Sequence, residues 1–258
     1  MPDERGAPRW TAVALPLAGV VAAVGLWWGV TALFDIRSFF LPSPPDVVEA
    51  FRAQPEYLLK EAWATLAMTG LGFLIALVAG LLIAVLLTAS RAIERATLPL
   101  LVALNSIPKV ALAPLLIVWL GYGPGPKLVM VVLISFFPIV VAAAAGLSST
   151  PADLGELATS LSASWWQAYL KVRLPWALPQ VFVGLKLGIS LAVIGAVVAE
   201  ISSPNGGLGS VVVLSGASLD TPLAFAAITL LATLSIVLFY LVVGLERLLL
   251  PWARAITA

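Results

Sequence analysis

Two chemically reactive side chains are missing from this sequence, which contains no cysteine and no histidine. Their absence excludes disulfides, thiolate metal sites, nucleophilic systems built on Cys or on a Ser–His pair, and imidazole proton relays. The sequence also lacks the G-x-x-x-x-G-K-[S/T] phosphate loop, so we do not expect the chain to bind ATP. An enzyme is therefore disfavoured before any motif is considered.

Charged residues are scarce as well. They make up 10% of the 258 residues, against about 25% in a soluble domain, while 61% of the residues are hydrophobic and the mean hydropathy is +1.08. The net charge of +1 gives no reason to expect a nucleic acid partner. This composition predicts a membrane protein that works in the lipid bilayer.

Six long apolar runs divide the chain. Each is longer than the roughly 20 residues that a helix needs to cross a bilayer, and the first is too long for the core of a signal peptide, which spans about 7–15 residues. Prolines and Lys109 interrupt the third run, and Lys186 interrupts the fifth. The pattern predicts an all-α polytopic membrane protein with about six transmembrane helices, at 10–34, 62–90, 97–126, 128–152, 174–199 and 221–245.

Lysine and arginine are unevenly distributed between the two sets of connections. If both termini are cytoplasmic, eight of these residues lie inside and four outside. Because positive charges concentrate in cytoplasmic loops, the bias predicts cytoplasmic termini, a cytoplasmic segment at 148–173, and external segments at 35–61 and 200–220. The inner set is Arg5, Arg9, Arg91, Arg95, Lys171, Arg173, Arg247 and Arg254, and the outer set is Arg37, Arg52, Lys60 and Lys127.

The segment at 148–173 is polar in a chain that is otherwise largely apolar. Six apolar positions in it recur at steps of three and four and therefore share one face of a helix, whereas Ser162 to Ser164 offers hydroxyl groups that compete with helical hydrogen bonds. We expect a short amphipathic helix, a turn and a second short helix. These features alone support a helix lying on the membrane surface as well as one that docks with a partner. The six positions are Leu154, Leu157, Ala158, Leu161, Trp165 and Ala168.

A motif in this segment resembles the EAA loop of ABC importer permeases, whose pattern is Glu-Ala-Ala-x-x-x-Gly followed by a Leu-Pro. Leu157 stands where the second residue is usually Ala, and Ser162 stands where Gly is usual. In that family the loop is the cytoplasmic coupling helix that docks into a separate ATPase subunit. The resemblance implies ATPase coupling through Glu156, Leu157, Ala158, Leu161, Ser162, Leu174 and Pro175.

Three further segments resemble the permease group for sulfonates, taurine and nitrate. They are the Leu-Pro-Ser-Pro run at 41–44, the Ile-Pro-Lys run at 107–109, and Glu200 followed by Gly-Leu-Gly. With the loop motif, the resemblance covers about residues 41–250. It implies that the substrate is a small anion or small organic molecule such as a sulfonate, taurine or nitrate.

The resemblance also implies an architecture and a set of partners. The chain would form one transmembrane domain over 1–258, of the type I ABC importer permease fold, with 148–173 as its cytoplasmic coupling loop. It would lie in the bacterial inner membrane and assemble with two ATPase subunits, a second copy of itself and a soluble substrate-binding protein. No cofactor is expected in this chain, since ATP and Mg would bind to the ATPase. The alternative is a secondary carrier or channel that needs no ATPase.

Polar residues within the predicted spans are candidates for the translocation path. A Lys at the bilayer centre costs about 2.5–3.5 kcal/mol, so such a residue usually faces the interior of a helix bundle. Lys109 and Lys186 would suit an anionic substrate, but each can also carry its ammonium to an interface or to a carbonyl freed by a kink. Asn105, Ser106 and Glu200 complete the set of candidates.

Overall fold

The computed structural model describes residues 11–252, and within this range the chain contains helices and no strand. Two shorter helical turns are also present, a 3₁₀ turn at Lys109–Leu112 and a π turn at Tyr169–Arg173. The predicted all-α class is confirmed. The helices are α1 (Thr11–Leu33), α2 (Pro44–Ala53), α3 (Pro55–Thr88), α4 (Arg91–Asn105), α5 (Ala113–Leu120), α6 (Pro124–Ser148), α7 (Ala152–Ser160), α8 (Trp165–Ala168), α9 (Leu174–Ser202), α10 (Leu208–Ala217) and α11 (Thr221–Leu249).

Four helices of the described region are long and apolar enough to cross a membrane, namely α3, α6, the continuous run Trp166–Ser202 and α11. The bent pair α4–α5 would make a fifth span, and Leu17–Leu33 of α1 is a shorter apolar helix. These elements correspond to the six predicted runs. Residues 1–10 and 253–258, and with them Arg5, Arg9 and Arg254 of the charge count, lie outside the described residues.

The predicted third span, 97–126, contains two helices that meet at a sharp bend. Helix α4 ends at Asn105, and the two halves of the pair meet at an angle of 72°. Pro108 cannot donate a helical hydrogen bond, and Pro114 lies in the first turn of α5, where proline favours the start of a new helix. The prolines therefore break the run where the sequence predicted an interruption.

Two helix starts and one connection also differ from expectation. Helix α3 begins at Pro55, so Glu61 lies inside a helix and not in a connection between helices, and α6 begins at Pro124, which puts Lys127 in its first turn. A charge-free run marks the apolar part of a helix, whereas proline at the first position sets where the helix starts. The predicted connection at 200–220 contains a further helix, α10.

The core of the bundle is the packing of α6 between α3 and α9, which together bury the largest apolar cluster of the described residues. These helices approach each other closely because glycine, which has no side chain, occupies points of contact between them. A Cβ at Gly72 on α3 would lie 2.5 Å from the side chain of Val131, and one at Gly184 on α9 would lie 2.6 Å from that of Ala142. Small residues let transmembrane helices come together and gain van der Waals contact.

A second apolar cluster lies where α1 and α9 end and α3 and α11 begin. We call α2, α10 and residues 221–231 of α11 the cap; its buried members include Val47, Leu208 and Val211, and Trp27 of α1 packs against it. Leu58, near the start of α3, also belongs to this cluster. The other end of α3 lies about 45 Å away at 1.5 Å per helical residue. There α7 and α8 are found, so the cap and the 148–173 segment lie at opposite ends of the bundle.

Candidate functional site

The segment that resembles the EAA loop folds as a helix, a tight turn and a second helix, as predicted. Helix α7 ends with Ser162 in the left-handed conformation, with φ of 53°, and the N–H of Ala163 donates to the carbonyl of Ala158 at 3.0 Å. This six-residue closure is the Schellman helix ending, which usually has Gly at the left-handed position. Ser162 therefore takes the conformation for which glycine is suited, although a serine occupies the position.

The second helix of the segment has its own start signal. The N–H of Ser164 donates to the side-chain oxygen of Gln167 at 2.9 Å, and the N–H of Gln167 donates to the Ser164 hydroxyl at 3.3 Å. This reciprocal capping box satisfies two backbone donors that a helix start leaves unpaired. The turn between α7 and α8 is thus defined on both sides by local hydrogen bonds.

The predicted apolar face divides between the bundle and the surface. Ala158 is buried, and Leu154 and Ala168 are half-buried. Leu157 and Leu161 are instead 56% and 74% exposed, and Glu156 is exposed beside them. The side chain of Trp165 lies outside the described part of the chain. Two leucines one helical turn apart are therefore presented on the outside of a polar segment.

The segment is joined to the bundle without a break. The Tyr169 side chain is 3% exposed, and its hydroxyl lies 3.3 Å from that of Thr88 at the end of α3. The π turn then leads directly into α9, where the N–H of Leu174 donates to the carbonyl of Tyr169. Leu174 and Pro175 therefore lie inside a continuous helix, and a displacement of α8 is passed to α9 without a flexible link.

An open groove of about 950 Å³ separates the segment from the end of the bundle. Thr88, Thr150 and Ser160 contribute hydroxyl groups to its lining, and Glu156 and Arg173 contribute charges. Because the groove borders α7 on the side of Glu156, that residue is accessible from outside the bundle. Of the predicted coupling residues, Glu156 and Leu157 of α7 and Leu161 just after it lie at the surface, whereas Ala158 is buried.

Lys186 is paired with a carboxylate that the sequence argument did not consider. Its ammonium lies 2.8 Å and 3.1 Å from the two carboxylate oxygens of Glu246 on α11, and both side chains are 24% exposed. Glu246 follows the last apolar run directly, so it was assigned to a tail and not to a span. A single acidic residue at the end of an apolar run was the available signal for a partner.

Lys109 lies in a different environment, at the bend between α4 and α5. Its ammonium donates to the side-chain oxygen of Asn105 and lies 5.9 Å from the centre of the Phe137 ring, within range of a cation–π contact. Ser106 is exposed in the same bend. The structure thus brings together two of the predicted path residues, Asn105 and Lys109, whereas Lys186 is paired with Glu246.

Glu200 lies at a third place, next to the cap, and is 1% exposed. It accepts hydrogen bonds from the Thr65 hydroxyl at 2.9 Å and from the N–H of Gly209 at 2.9 Å. A second buried carboxylate, Glu61, accepts from the N–H of Gly207 at 2.5 Å. In this structure Glu200 binds the glycine-rich loop that leads to α10.

Lys127 completes this arrangement from α6. Its side chain is 6% exposed and donates to the carbonyls of Asn205 at 3.0 Å and Gly206 at 2.6 Å. We call Glu61, Thr65, Lys127 and Glu200, together with loop residues 205–209, the clamp. Three of these side chains could not be recognised from the hydropathy pattern. Glu61 and Lys127 lie in predicted external connections, and Thr65 lies in a predicted apolar span. The i, i+4 spacing of Glu61 and Thr65 on one helix was the signal that could have identified them.

Comparison with known proteins gives the same family as the loop motif. A sequence profile described as "Binding-protein-dependent transport system inner membrane component" matches residues 72–254. The chain is 38% identical to a probable ABC transporter permease protein of Haemophilus influenzae, over 87% of this chain and 92% of that protein. It is 36% identical to the riboflavin transport system permease protein RibX of Chloroflexus aurantiacus, over 98% and 97% of the two chains. Identity to the taurine transport system permease protein TauC of Escherichia coli is 30%, over 93% and 90%.

A solved structure extends the agreement to the fold. The chain matches the permease fold in an inward-facing structure of the MetNI methionine ABC transporter with a TM-score of 0.67 and 23% identity, over 75% of this chain and 97% of that one. The predicted permease fold is therefore confirmed, and the family of the chain disfavours the alternative of a secondary carrier or channel that needs no ATPase. The chain belongs to the family of binding-protein-dependent transport system inner membrane components and is an ABC transporter permease.

Proposed function

We propose that this permease is the transmembrane subunit of an ATP-driven importer and that it receives ATPase motion through α7 and α8. The observation that carries the proposal is the exposure of Leu157 and Leu161 on a segment that is fixed by local hydrogen bonds and continuous with α9. An apolar surface on a polar segment favours docking with a partner protein. A rigid link to α9 is what transmission of that partner's motion requires.

The charge distribution supports a cytoplasmic position for this segment. Lys171 and Arg173 follow α8, and Arg95 and Arg247 belong to helices that have an end on the same side of the bundle. Positive residues mark the cytoplasmic side of short connections. The ATPase would therefore meet the segment in the cytoplasm, where it binds ATP and Mg, and both permease termini would lie on that side of the bacterial inner membrane.

The placement of the polar candidates supports a path shared by two permease copies. Asn105 and Lys109 bond to each other, Lys186 bonds to Glu246, and Glu200 bonds to Thr65 and Gly209, so these candidates have no hydrogen-bond partner in common among the described residues. We place the translocation path between this chain and a second copy of it, with a soluble binding protein delivering substrate at the cap. The residues that would line it are Asn105, Ser106, Lys109 and Lys186, whereas the buried Glu200 would hold the loop that leads to α10 and would not line the path.

We base the proposed substrate class on the relatives and on the two lysines of the candidate path, Lys109 and Lys186. The relatives include permeases named for taurine and for riboflavin, so the pattern accommodates both a sulfonate and a heterocycle. We assign a small anion or small polar organic molecule, such as a sulfonate. Lys109, which is hydrogen-bonded only to a neutral amide among the contacts described here, would supply positive charge for it.

The coupling assignment can be tested by placing a charge on the proposed docking surface. Leu157→Asp should leave permease abundance in the membrane unchanged but reduce the amount of ATPase that copurifies with it, and with it the ATP hydrolysis, because the variant would bury an unpaired carboxylate at the interface. Leu59→Asp is the matched control, since Leu59 is also 56% exposed but lies near the start of α3 at the opposite end of the bundle. Equal ATPase recovery in the two variants would contradict the assignment.

A further inference from the structure

The clamp joins the cap to the three central helices, and we propose that it transmits docking of the binding protein from the cap to the bundle. This inference rests on the proposed importer function. It assigns Glu61, Lys127 and Glu200 as positioning residues that do not contact substrate. The clamp would remain closed while the transporter alternates between its conformations.

Each of the three core helices contributes a side chain to the clamp. Glu61 and Thr65 come from α3, Lys127 from α6 and Glu200 from α9, and all of them contact the loop that leads into α10. Four side chains from three helices thus converge on five consecutive loop residues. A loop held from three sides cannot shift relative to one of these helices without breaking contacts to the others.

The clamp uses both the donors and the acceptors of the loop backbone. The N–H groups of Gly207, Leu208 and Gly209 donate to Glu61, Thr65 and Glu200, respectively. These are donors of the kind that the start of a helix leaves without a partner within the helix, and the positive end of the α10 dipole favours the nearby carboxylates.

The carbonyl groups before them are also bonded. The carbonyls of Asn205 and Gly206 accept from the Lys127 ammonium, and the Ser210 hydroxyl donates to the carbonyls of Gly206 and Glu200. Opening the loop would leave two carboxylates and one ammonium buried without these partners. Unpaired buried charges are strongly unfavourable, so the arrangement favours movement of the whole unit over separation of the loop.

Steric fit removes the remaining freedom at Gly207. This residue has φ of 99°, a conformation that side chains other than glycine's rarely adopt, and a Cβ placed on it would lie 2.1 Å from the Glu200 carboxylate. The loop backbone is therefore packed directly against the carboxylate that binds it. No intervening side chain can absorb a displacement of the loop.

The loop is equally well anchored on the side of the cap. Leu208, which belongs to the clamp, and Val211, which follows it, are fully buried in the cluster that contains Val47 of α2 and Leu223 of α11. The Thr221 hydroxyl also donates to the carbonyl of Phe39 at 2.7 Å, which ties the start of α11 to the connection before α2. A partner that presses on α2 would therefore move the loop, and the loop would move α3, α6 and α9.

Ser203 provides a reporter for the closed clamp. It is 1% exposed, its hydroxyl has no hydrogen-bond partner, and the chain has no native cysteine, so Ser203→Cys introduces a single buried thiol with little loss of contact. In proteoliposomes we expect a membrane-impermeant maleimide to label this thiol slowly. The rate should stay equally slow when ATP and the substrate-loaded binding protein of the same transport system are added.

Disrupting the clamp should change both the labelling rate at residue 203 and the stimulation of ATP hydrolysis by the binding protein. In the Ser203→Cys background, Lys127→Met and, independently, Glu200→Gln should raise the labelling rate several-fold. The same substitutions should lower the maximal stimulation of ATP hydrolysis by the binding protein, while basal hydrolysis and the half-saturating concentration of binding protein stay unchanged. Lys60→Met is the matched control, because it removes an exposed lysine near the cap and should change neither quantity.

Three outcomes would contradict the proposal or the importer function on which it rests. If ATP and binding protein accelerate labelling of Ser203→Cys in the otherwise unchanged chain, the clamp opens during transport and the proposal is wrong. Faster labelling in Lys127→Met or Glu200→Gln with full stimulation would overturn the transmitting role. If the purified complex hydrolyses no ATP under any condition, the proposed importer function fails and transmission fails with it, whereas the labelling rates still report whether the clamp is closed.

Discussion

The Lys186 ammonium on α9 lies 2.8 Å from a carboxylate oxygen of Glu246 on α11. The two helices also pack against each other, since Val242 of α11 is buried in the same cluster as Ile189 of α9. An ion pair at this junction compensates a charge that would be costly in a transmembrane helix by itself. Its two members therefore provide a test that separates a structural role from a substrate path.

Removing one member of this pair should destabilise the permease. Glu246→Gln leaves the lysine without its carboxylate partner, and an uncompensated lysine at the bilayer centre costs about 2.5–3.5 kcal/mol. We expect lower membrane abundance and a lower temperature of thermal inactivation in detergent. The exchange Lys186→Glu/Glu246→Lys should recover part of the loss, and if it recovers none the pair does not stabilise the fold.

Transport measurements on Lys186 then test the path. Lys186→Met should lower the transport rate more than Lys186→Arg if the positive charge attracts an anionic substrate as well as pairing with Glu246. The comparison is informative only at matched abundance, which immunoblotting of membranes provides. A Lys186→Met protein that transports at the wild-type rate per molecule would show that the lysine has no role in the path.

Features fixed by neighbouring residues could be predicted from the sequence. The turn at Ser162 to Ser164 depends on hydroxyl and backbone groups within a few residues, and the apolar runs report burial in lipid directly. Candidate residues of the clamp and of the ion pair left signals in the sequence, but their pairing could not be predicted, because Glu61 and Gly207 are 146 residues apart and Lys186 and Glu246 are 60 apart. Such pairings depend on which helices become neighbours, and a hydropathy pattern carries no information on that.

The orientation of the bundle can be measured with single cysteines, since the chain has none of its own. Ser38 precedes the cap and Ala152 begins α7, and both residues are exposed. We expect a membrane-impermeant reagent to label Ser38→Cys from outside intact cells and to label Ala152→Cys only after the membrane is opened. The reverse pattern would invert the topology and would place α7 and α8 out of reach of a cytoplasmic ATPase.

The charge of Glu156 should matter for coupling in a graded way. Glu156 is exposed on α7 and lines the groove beside Arg173. Glu156→Lys reverses the charge that an ATPase surface would meet, whereas Glu156→Gln only removes it, so we expect the Lys variant to lose more ATPase on copurification. Truncation at an anchoring interface position commonly costs about 1 kcal/mol or more. Equal recovery of ATPase from Glu156→Lys and wild type would argue against docking at this face.

The left-handed turn at Ser162 gives a prediction in the opposite direction, toward higher stability. A residue with a Cβ pays roughly 1–2 kcal/mol for this conformation, whereas glycine adopts it readily but loses more entropy on folding. Ser162→Gly should therefore stabilise the turn by a net amount of about 0.5–1 kcal/mol, which is the difference between the cost of the left-handed conformation and the entropy cost of glycine. Ser162→Val should weaken it, because a β-branched side chain is poorly accommodated at φ of 53°.

Limited proteolysis of the purified permease, followed at the α7–α8 turn, measures this difference directly. We expect cleavage to be slowest in Ser162→Gly, intermediate in wild type and fastest in Ser162→Val, with ATPase copurification following the same order. Ser164→Gly is the control for a general effect of glycine in this segment, since it removes the hydroxyl that caps α8 and should speed cleavage slightly. If Ser162→Gly is cleaved faster than wild type, the turn is not held in the left-handed conformation. The hypothesis of a rigid connection between α7 and α8, on which coupling depends, would then be wrong.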